Sequence, residues 1–206
     1  MTMKKTSSTI LNPVITVTGI ITCYYWLDIL VIEWFYMFRE SMITEIFRLI
    51  TRAGESQWYL VGGLAGWIVF RNTSTHGSSG SLLLFSSVAA SGITVNILKA
   101  LFARARPKLY LENGFYGFDF FHIGYELNSF PSGHSATALS AASALAILFP
   151  RYRLLFYIAG FLVASSRVVL AEHYPGDVIA GSVLGYLTTV ILYNRFFRQK
   201  MIVPGT

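Results

Sequence analysis

The chain has 206 residues, 54% of them hydrophobic and only 13% charged, with a formal net charge of +6. A soluble domain carries about 25% charged residues, and the outer helix faces of a soluble bundle need charges that the long apolar runs here lack, so that class is excluded. Nucleic-acid binding is excluded too, because the positive charge is not gathered into an arginine-rich tract or an aromatic–basic repeat.

Crossing a bilayer takes about 20 apolar residues, and six spans are predicted, at about 11–27, 57–70, 82–103, 133–149, 153–171 and 178–197. The expected architecture is an all-α polytopic membrane protein of six transmembrane helices, a single membrane-embedded domain over 1–206. Lys4 and Lys5 precede the first run and no small-x-small cleavage site follows it, so it reads as a retained signal anchor. Cys23 lies inside that run without a partner, which rules out an intrachain disulfide and reads as a buried structural thiol.

Residues 28–56 mix aromatics with Asp28, Glu33, Arg39, Glu40, Glu45, Arg48, Arg52 and Glu55. They read as an interfacial amphipathic segment, with Trp34, Phe35, Tyr36 and Phe38 suited to the headgroup zone. "RNTSTHGSSG" (71–80) reads as a flexible polar turn. Residues 107–130 form a longer loop whose many aromatics either shape access or anchor it at the interface; both readings stand.

Loop charges set the orientation. With both termini in the cytoplasm, the inner side collects Lys4, Lys5, Arg71, Arg151, Arg153, Arg195, Arg198 and Lys200, and all ten acidic residues fall at or near the outer face.

Three polar groups then remain at the outer ends of spans three to six. They are "KALFARARP" with Lys99, Arg104 and Arg106; "PSGH", from Pro131 to His134; and "SRVVLAEHYPGD" with Ser166, Arg167, His173 and Asp177. Arg104 and Lys108 read as side chains that snorkel to headgroups. Arg167 interrupts an apolar span, where a charge is costly unless it faces a cavity or a partner. Lys99, Arg106 and Arg167 together suit a phosphate. Ser132 and the amides near Gly133 open a helix, where free N–H groups attract anions and the missing side chain admits a ligand to the backbone.

His173 lies four residues before Asp177, and Pro175 with Gly176 breaks the chain between them. A carboxylate on one ring nitrogen fixes the tautomer and leaves the other as a nucleophile. His134 is placed to act as general acid for the departing oxygen. The chemical rival is a zinc site of His134, His173 and Asp177, which three nearby cations disfavour. No metal or other cofactor is therefore expected.

Lys99 followed by six residues and Arg106–Pro107, then "PSGH", then Ser166–Arg167 with five residues to His173 and three more to Asp177, resembles the three-part signature of the type 2 phosphatidic acid phosphatase superfamily. The resemblance implies a metal-independent phosphomonoester or diphosphate hydrolase working through a phosphohistidine. By it, His173 is the nucleophile, Asp177 its orienting partner and His134 the acid, while Lys99, Arg106, Ser132, Gly133 and Arg167 hold the phosphate. The soluble vanadium haloperoxidase branch does not suit so apolar a chain. The implied substrate is a membrane lipid phosphate of the undecaprenyl diphosphate, phosphatidylglycerophosphate or lipid A type, at the outer face of a bacterial inner membrane. A phosphotransferase passing the group to a second lipid is the alternative; a non-enzymatic transporter would not need a nucleophile, an orienter and an acid together. No obligatory protein partner is evident.

Overall fold

A computed structural model describes residues 13–122 and 124–201; the expected signal-anchor lysines, Lys4 and Lys5, lie outside them. Eight helices position the site. They are α1 (Pro13–Tyr36), α2 (Met42–Thr51), α3 (Ser56–Phe70), α4 (Thr75–Phe102), α5 (Pro107–Asn113), α6 (Gly133–Leu148), α7 (Arg153–Val169) and α8 (Pro175–Leu192). A wide turn at Tyr193–Phe197 carries α8 on to Met201. No strand occurs among the described residues; a single isolated bridge joins Arg104 to Phe118.

Helices α1, α4, α7 and α8, with α7 extended back to Pro150 and α8 on to Met201, are long and apolar enough to cross a membrane. Helices α3 and α6, at 15 and 16 residues, fall short of that length. All six expected spans are therefore helices, and four of them have spanning dimensions. The first is longer than the apolar run suggests. It continues through a π-turn at Cys23–Leu27 to Tyr36, so Asp28 lies within the helix and is wholly buried instead of sitting at an interface. Cys23 is buried and unpaired.

The separate amphipathic helix is α2 alone. Ser41 caps it by accepting from the Thr44 amide at 3.4 Å, and Met42, Ile43, Ile46 and Leu49 stand exposed along it. The polar turn expected at 71–80 ends early, because the Ser74 hydroxyl accepts from the Gly77 amide at 3.0 Å and starts α4 at Thr75. Gly77 and Gly80 let α4 pack closely on α3 and α6: a Cβ on Gly77 would meet the Phe70 ring, and one on Gly80 would meet Leu148. The loop at 107–130 likewise opens with the short helix α5, begun by Pro107 and ended at Gly114 with φ 71°.

The serine- and alanine-rich α6 is the centre of the bundle, buried without a break from Ser135 to Ala144. Small residues let helices approach closely where lipid offers no hydrophobic drive to associate. A Cβ on Gly181 of α8 would collide with the Ser132 carbonyl oxygen, and one on Gly185 with that of Ala136. Polar ties close the contact: Ser140 donates to Ser91 of α4 at 2.9 Å, and Thr189 of α8 donates to the Ser140 carbonyl at 3.2 Å.

Candidate active site

Four helix ends meet at one level. Helix α4 stops where Ala103 adopts φ 44°, a left-handed conformation uncommon outside glycine. The released segment is stitched to the following loop, with Ala105 N donating to Gly117 O at 3.0 Å, Arg106 N to Glu126 O at 2.7 Å and Ser129 N to Arg104 O at 3.0 Å. Helix α7 ends in a tight turn in which the Glu172 and His173 amides both donate to the Arg167 carbonyl, at 2.9 and 3.1 Å. Pro175 then starts α8, and Asp177 Oδ2 caps it by accepting from the Tyr174 amide at 3.0 Å. Ser132 N donates to Asp177 O at 3.0 Å, fixing the start of α6 to the start of α8.

His173 is 2% exposed and Asp177 is fully buried. Their closest approach, Nδ1 to Oδ2, is 3.7 Å, longer than a hydrogen bond. Ser129 links them: its Oγ donates to Asp177 Oδ2 at 2.5 Å and lies 3.4 Å from His173 Nδ1. Burial disfavours the imidazolium and holds the His173 pKa down to about 4; Asp177 opposes this shift, while Arg106 and Arg167 add to it. His173 is therefore neutral at pH 7, the form with a nucleophilic lone pair.

The expected phosphate-holding residues surround this pair. Lys99 Nζ comes within 3.9 Å of the position a Cβ on Gly133 would take. Lys99, Arg106, Arg167 and His173 all lie near enough to His134 to act on its charge. Arg167 donates to Thr51 at 2.8 Å, and the Arg106 guanidinium stacks over the Tyr125 ring at 4.3 Å. The Nε groups of both arginines are buried without a hydrogen-bond partner. Such orphan donors are costly unless an anion meets them. Ser132 accepts from the Ser135 amide at 3.4 Å and the Ser135 hydroxyl at 2.9 Å, which leaves its own O–H free to donate. The His134 ring packs on Gly54, where a Cβ would approach its Cδ2 to 2.9 Å. A cavity of about 260 Å³ reaches Lys99, Gly133 and His134 past Gly54 and Gln57, and another of about 440 Å³ reaches Arg167 and Glu172 past Arg48 and Lys108. Among the described residues, no three of His, Cys, Asp and Glu gather as a metal-holding group, so His134, His173 and Asp177 do not form the zinc set weighed above.

Arg104 corrects the snorkelling assignment, whereas Lys108 is exposed, 3.9 Å from Glu112. Arg104 is 1% exposed, donates to Asp177 Oδ1 at 2.5 Å and to Asp28 Oδ2 at 2.6 Å, and is walled by Tyr24, Tyr116, Phe118 and Tyr174. Burial alone would push its pKa down, but the two carboxylates more than offset this and hold the guanidinium charged. Asp28 also accepts from the Gly176 amide at 2.9 Å. Arg104, Asp28 and Ser129 are the site residues that sequence reasoning misses. The available signal was Asp28 itself, an acid within reach of an apolar run.

This fold and site belong to one family. A profile of the PAP2 superfamily matches residues 80–201, and the chain is a member of that superfamily. A lipid A 1-phosphatase from Rhizobium etli is 34% identical over 172 residues, covering 76% of this chain and 74% of that protein. Phosphatidylglycerophosphatase B from Bacillus subtilis is 27% identical over 186 residues, covering 80% and 83%. The crystal structure of a transmembrane PAP2-type phosphatidylglycerolphosphate phosphatase from Bacillus subtilis shares the fold, with a TM-score of 0.66 at 23% identity over 92% of this chain and 96% of that one. The apolar helices and these membrane relatives make the chain an integral membrane protein.

Proposed function

We propose that the protein hydrolyses a phosphate mono- or diphosphate ester of a membrane lipid through a phosphohistidine on His173. Its class is that of its family and relatives, the phosphoric ester hydrolases that act on lipid phosphates. Lys99, Arg106, Arg167, Ser132 and the Gly133 amide hold the phosphate oxygens. His173 Nε2 attacks phosphorus, the bond from phosphorus to the lipid oxygen breaks, and His134 gives that oxygen its proton. Water then attacks the phosphohistidine with His134 as base, releasing inorganic phosphate and free His173. Asp177 and Ser129 orient the imidazole, and no metal takes part.

One observation carries this reading: a buried His173 stands beside the buried Arg167 and the largely buried Arg106, whose Nε donors have no partner. Relatives named as phosphatases favour water over a second lipid as acceptor. We place the activity in a single domain with six spans in a bacterial plasma membrane, both termini in the cytoplasm and the site at the outer face, as the loop charges support. The lipid is of the lipid A, phosphatidylglycerophosphate or undecaprenyl diphosphate kind, the substrates in the names of its relatives.

Thin-layer analysis of purified protein with a panel of these lipids tests the function. Free phosphate that survives EDTA and is suppressed by vanadate is expected; a newly phosphorylated lipid, or loss of activity on chelation with rescue by one divalent ion, contradicts it. Orientation is tested with a membrane-impermeant thiol reagent on intact cells. A cysteine at Asn113 is expected to react and one at Arg151 to resist, and the reverse pattern overturns the placement.

A further inference from the structure

Glu172 immediately precedes His173, and its carboxylate already sits on the phosphate cradle. Its Oε2 accepts from Arg106 Nη1 at 3.1 Å and lies 3.6 Å from Arg167 Nη2. The two arginine side chains are 11% and 9% exposed, whereas Glu172 is 43% exposed. Its amide is tied to the Arg167 carbonyl at 2.9 Å, which fixes the backbone that places the carboxylate beside these guanidiniums. Yet it does not saturate them, because both Nε donors stay without a partner. A phosphate can therefore enter while Glu172 remains.

That arrangement fixes a charge balance. Lys99, Arg106 and Arg167 bring three positive charges to the phosphate and Glu172 removes one. Glu172 thus lowers by one the positive charge that faces the two negative charges of an ionised phosphate monoester. Its carboxylate repels a diphosphate ester, with three negative charges, more than a monoester, and in a partly desolvated site like charges repel more strongly than in water. His134, protonated to act as the acid, adds one positive charge for either lipid, and the neutral His173 adds none. The buried Arg104, with Asp28 and Asp177 both on it, contributes a net negative charge behind His173 and works in the same direction.

We propose that Glu172 is a specificity-determining residue, a built-in anion on Arg106 and Arg167 that makes the site prefer a lipid phosphate monoester to the matching diphosphate. The proposal rests on the reading of Lys99, Arg106 and Arg167 as the phosphate cradle.

The test uses the full-length protein in detergent micelles at pH 7.5, as wild type, Glu172→Gln and Glu172→Asp. Turnover is measured on a polyprenyl monophosphate and the diphosphate of the same chain, and calorimetry measures binding of inorganic phosphate and pyrophosphate. Wild type is expected to favour the monophosphate. Glu172→Gln is expected to raise the diphosphate-to-monophosphate ratio of kcat/KM about tenfold and to tighten pyrophosphate more than phosphate by a similar factor. Glu172→Asp, which keeps the charge, is expected to stay much closer to wild type. An unchanged ratio in Glu172→Gln, or an equal loss on both lipids, shows that Glu172 only braces the arginines and overturns the proposal while the cradle stands. Failure of wild type to bind either anion removes the cradle reading and this proposal with it.

Discussion

Arg104 and Asp177 form a fully buried ion pair, Nη1 to Oδ1 at 2.5 Å, and Asp28 from the first helix completes it on the other guanidinium nitrogen. The carboxylate that faces His173 is thus held from behind by a cation that α1 also grips. Removing one partner of a buried pair leaves a charge with no compensation, which costs about 3–5 kcal/mol. Arg104→Met is therefore expected to lower thermal stability in detergent by that amount. Asp28→Asn, which leaves the Arg104–Asp177 pair intact, is expected to cost only about 1–3 kcal/mol. Equal, small losses in both variants would show that the trio is not a unit.

Ser129 is the second link to Asp177. Its hydroxyl spans the gap between Asp177 Oδ2 and His173 Nδ1, which are 3.7 Å apart. A hydrogen bond to a charged group is worth about 1.5–3 kcal/mol, and part of that is spent orienting the imidazole. Ser129→Ala is expected to lower kcat by about tenfold with KM little changed, because Ser129 does not touch the phosphate cradle. Steady-state kinetics on one lipid phosphate decides it; a rise in KM at constant kcat would place Ser129 in binding instead.

The acid limb of the rate profile follows from His173. Its pKa is held at about 4, below the ordinary 6.5, so protonation removes the lone pair only when pH falls through that lower value. The profile of kcat/KM, which reports the free enzyme, is expected to stay level through pH 6.5 on its acid side and to fall near pH 4. A limb centred at 6.5 or above that the second ionisation of the substrate phosphate does not account for would mean that the imidazole is solvated in the working enzyme.

Local pattern carried the helices and the three-part signature well, because apolar runs and fixed spacings are properties of neighbouring residues. What it could not carry is pairing across the chain. Asp28 breaks an apolar run, so reading along the sequence puts the interface there, and its partner Arg104 lies 76 residues further on. Arg104 itself sits beside Arg106 and Lys108, where basic side chains commonly reach for headgroups. Only the turn at Ala103 and the packing of Tyr24, Tyr116 and Tyr174 bring it inward. Ser129 carries no distinguishing neighbour, and its place between His173 and Asp177 depends on the loop stitched to Arg104. The length of α1 was hidden for the same reason as Asp28.

The two histidines are separable by leaving group. A general acid matters least when the departing oxygen is already a weak base, so p-nitrophenyl phosphate is expected to rescue His134→Ala partly and His173→Ala not at all. Rates of both variants on a lipid phosphate and on the activated ester give the comparison. Equal rescue would show that the roles of His134 and His173 are exchanged or shared.

Trapping the covalent intermediate decides whether His173 carries the phosphate. Purified protein is mixed with a lipid carrying radiolabelled phosphate, quenched within milliseconds to seconds, and analysed for protein-bound label. Label on wild type is expected to be lost in acid, to be stable in base and to map to His173. His134→Ala is expected to keep the ability to form it from an activated ester, and His173→Ala to form none. Label persisting in His173→Ala, or phosphate released by wild type with no labelled protein at any quench time, would contradict a phosphohistidine on His173.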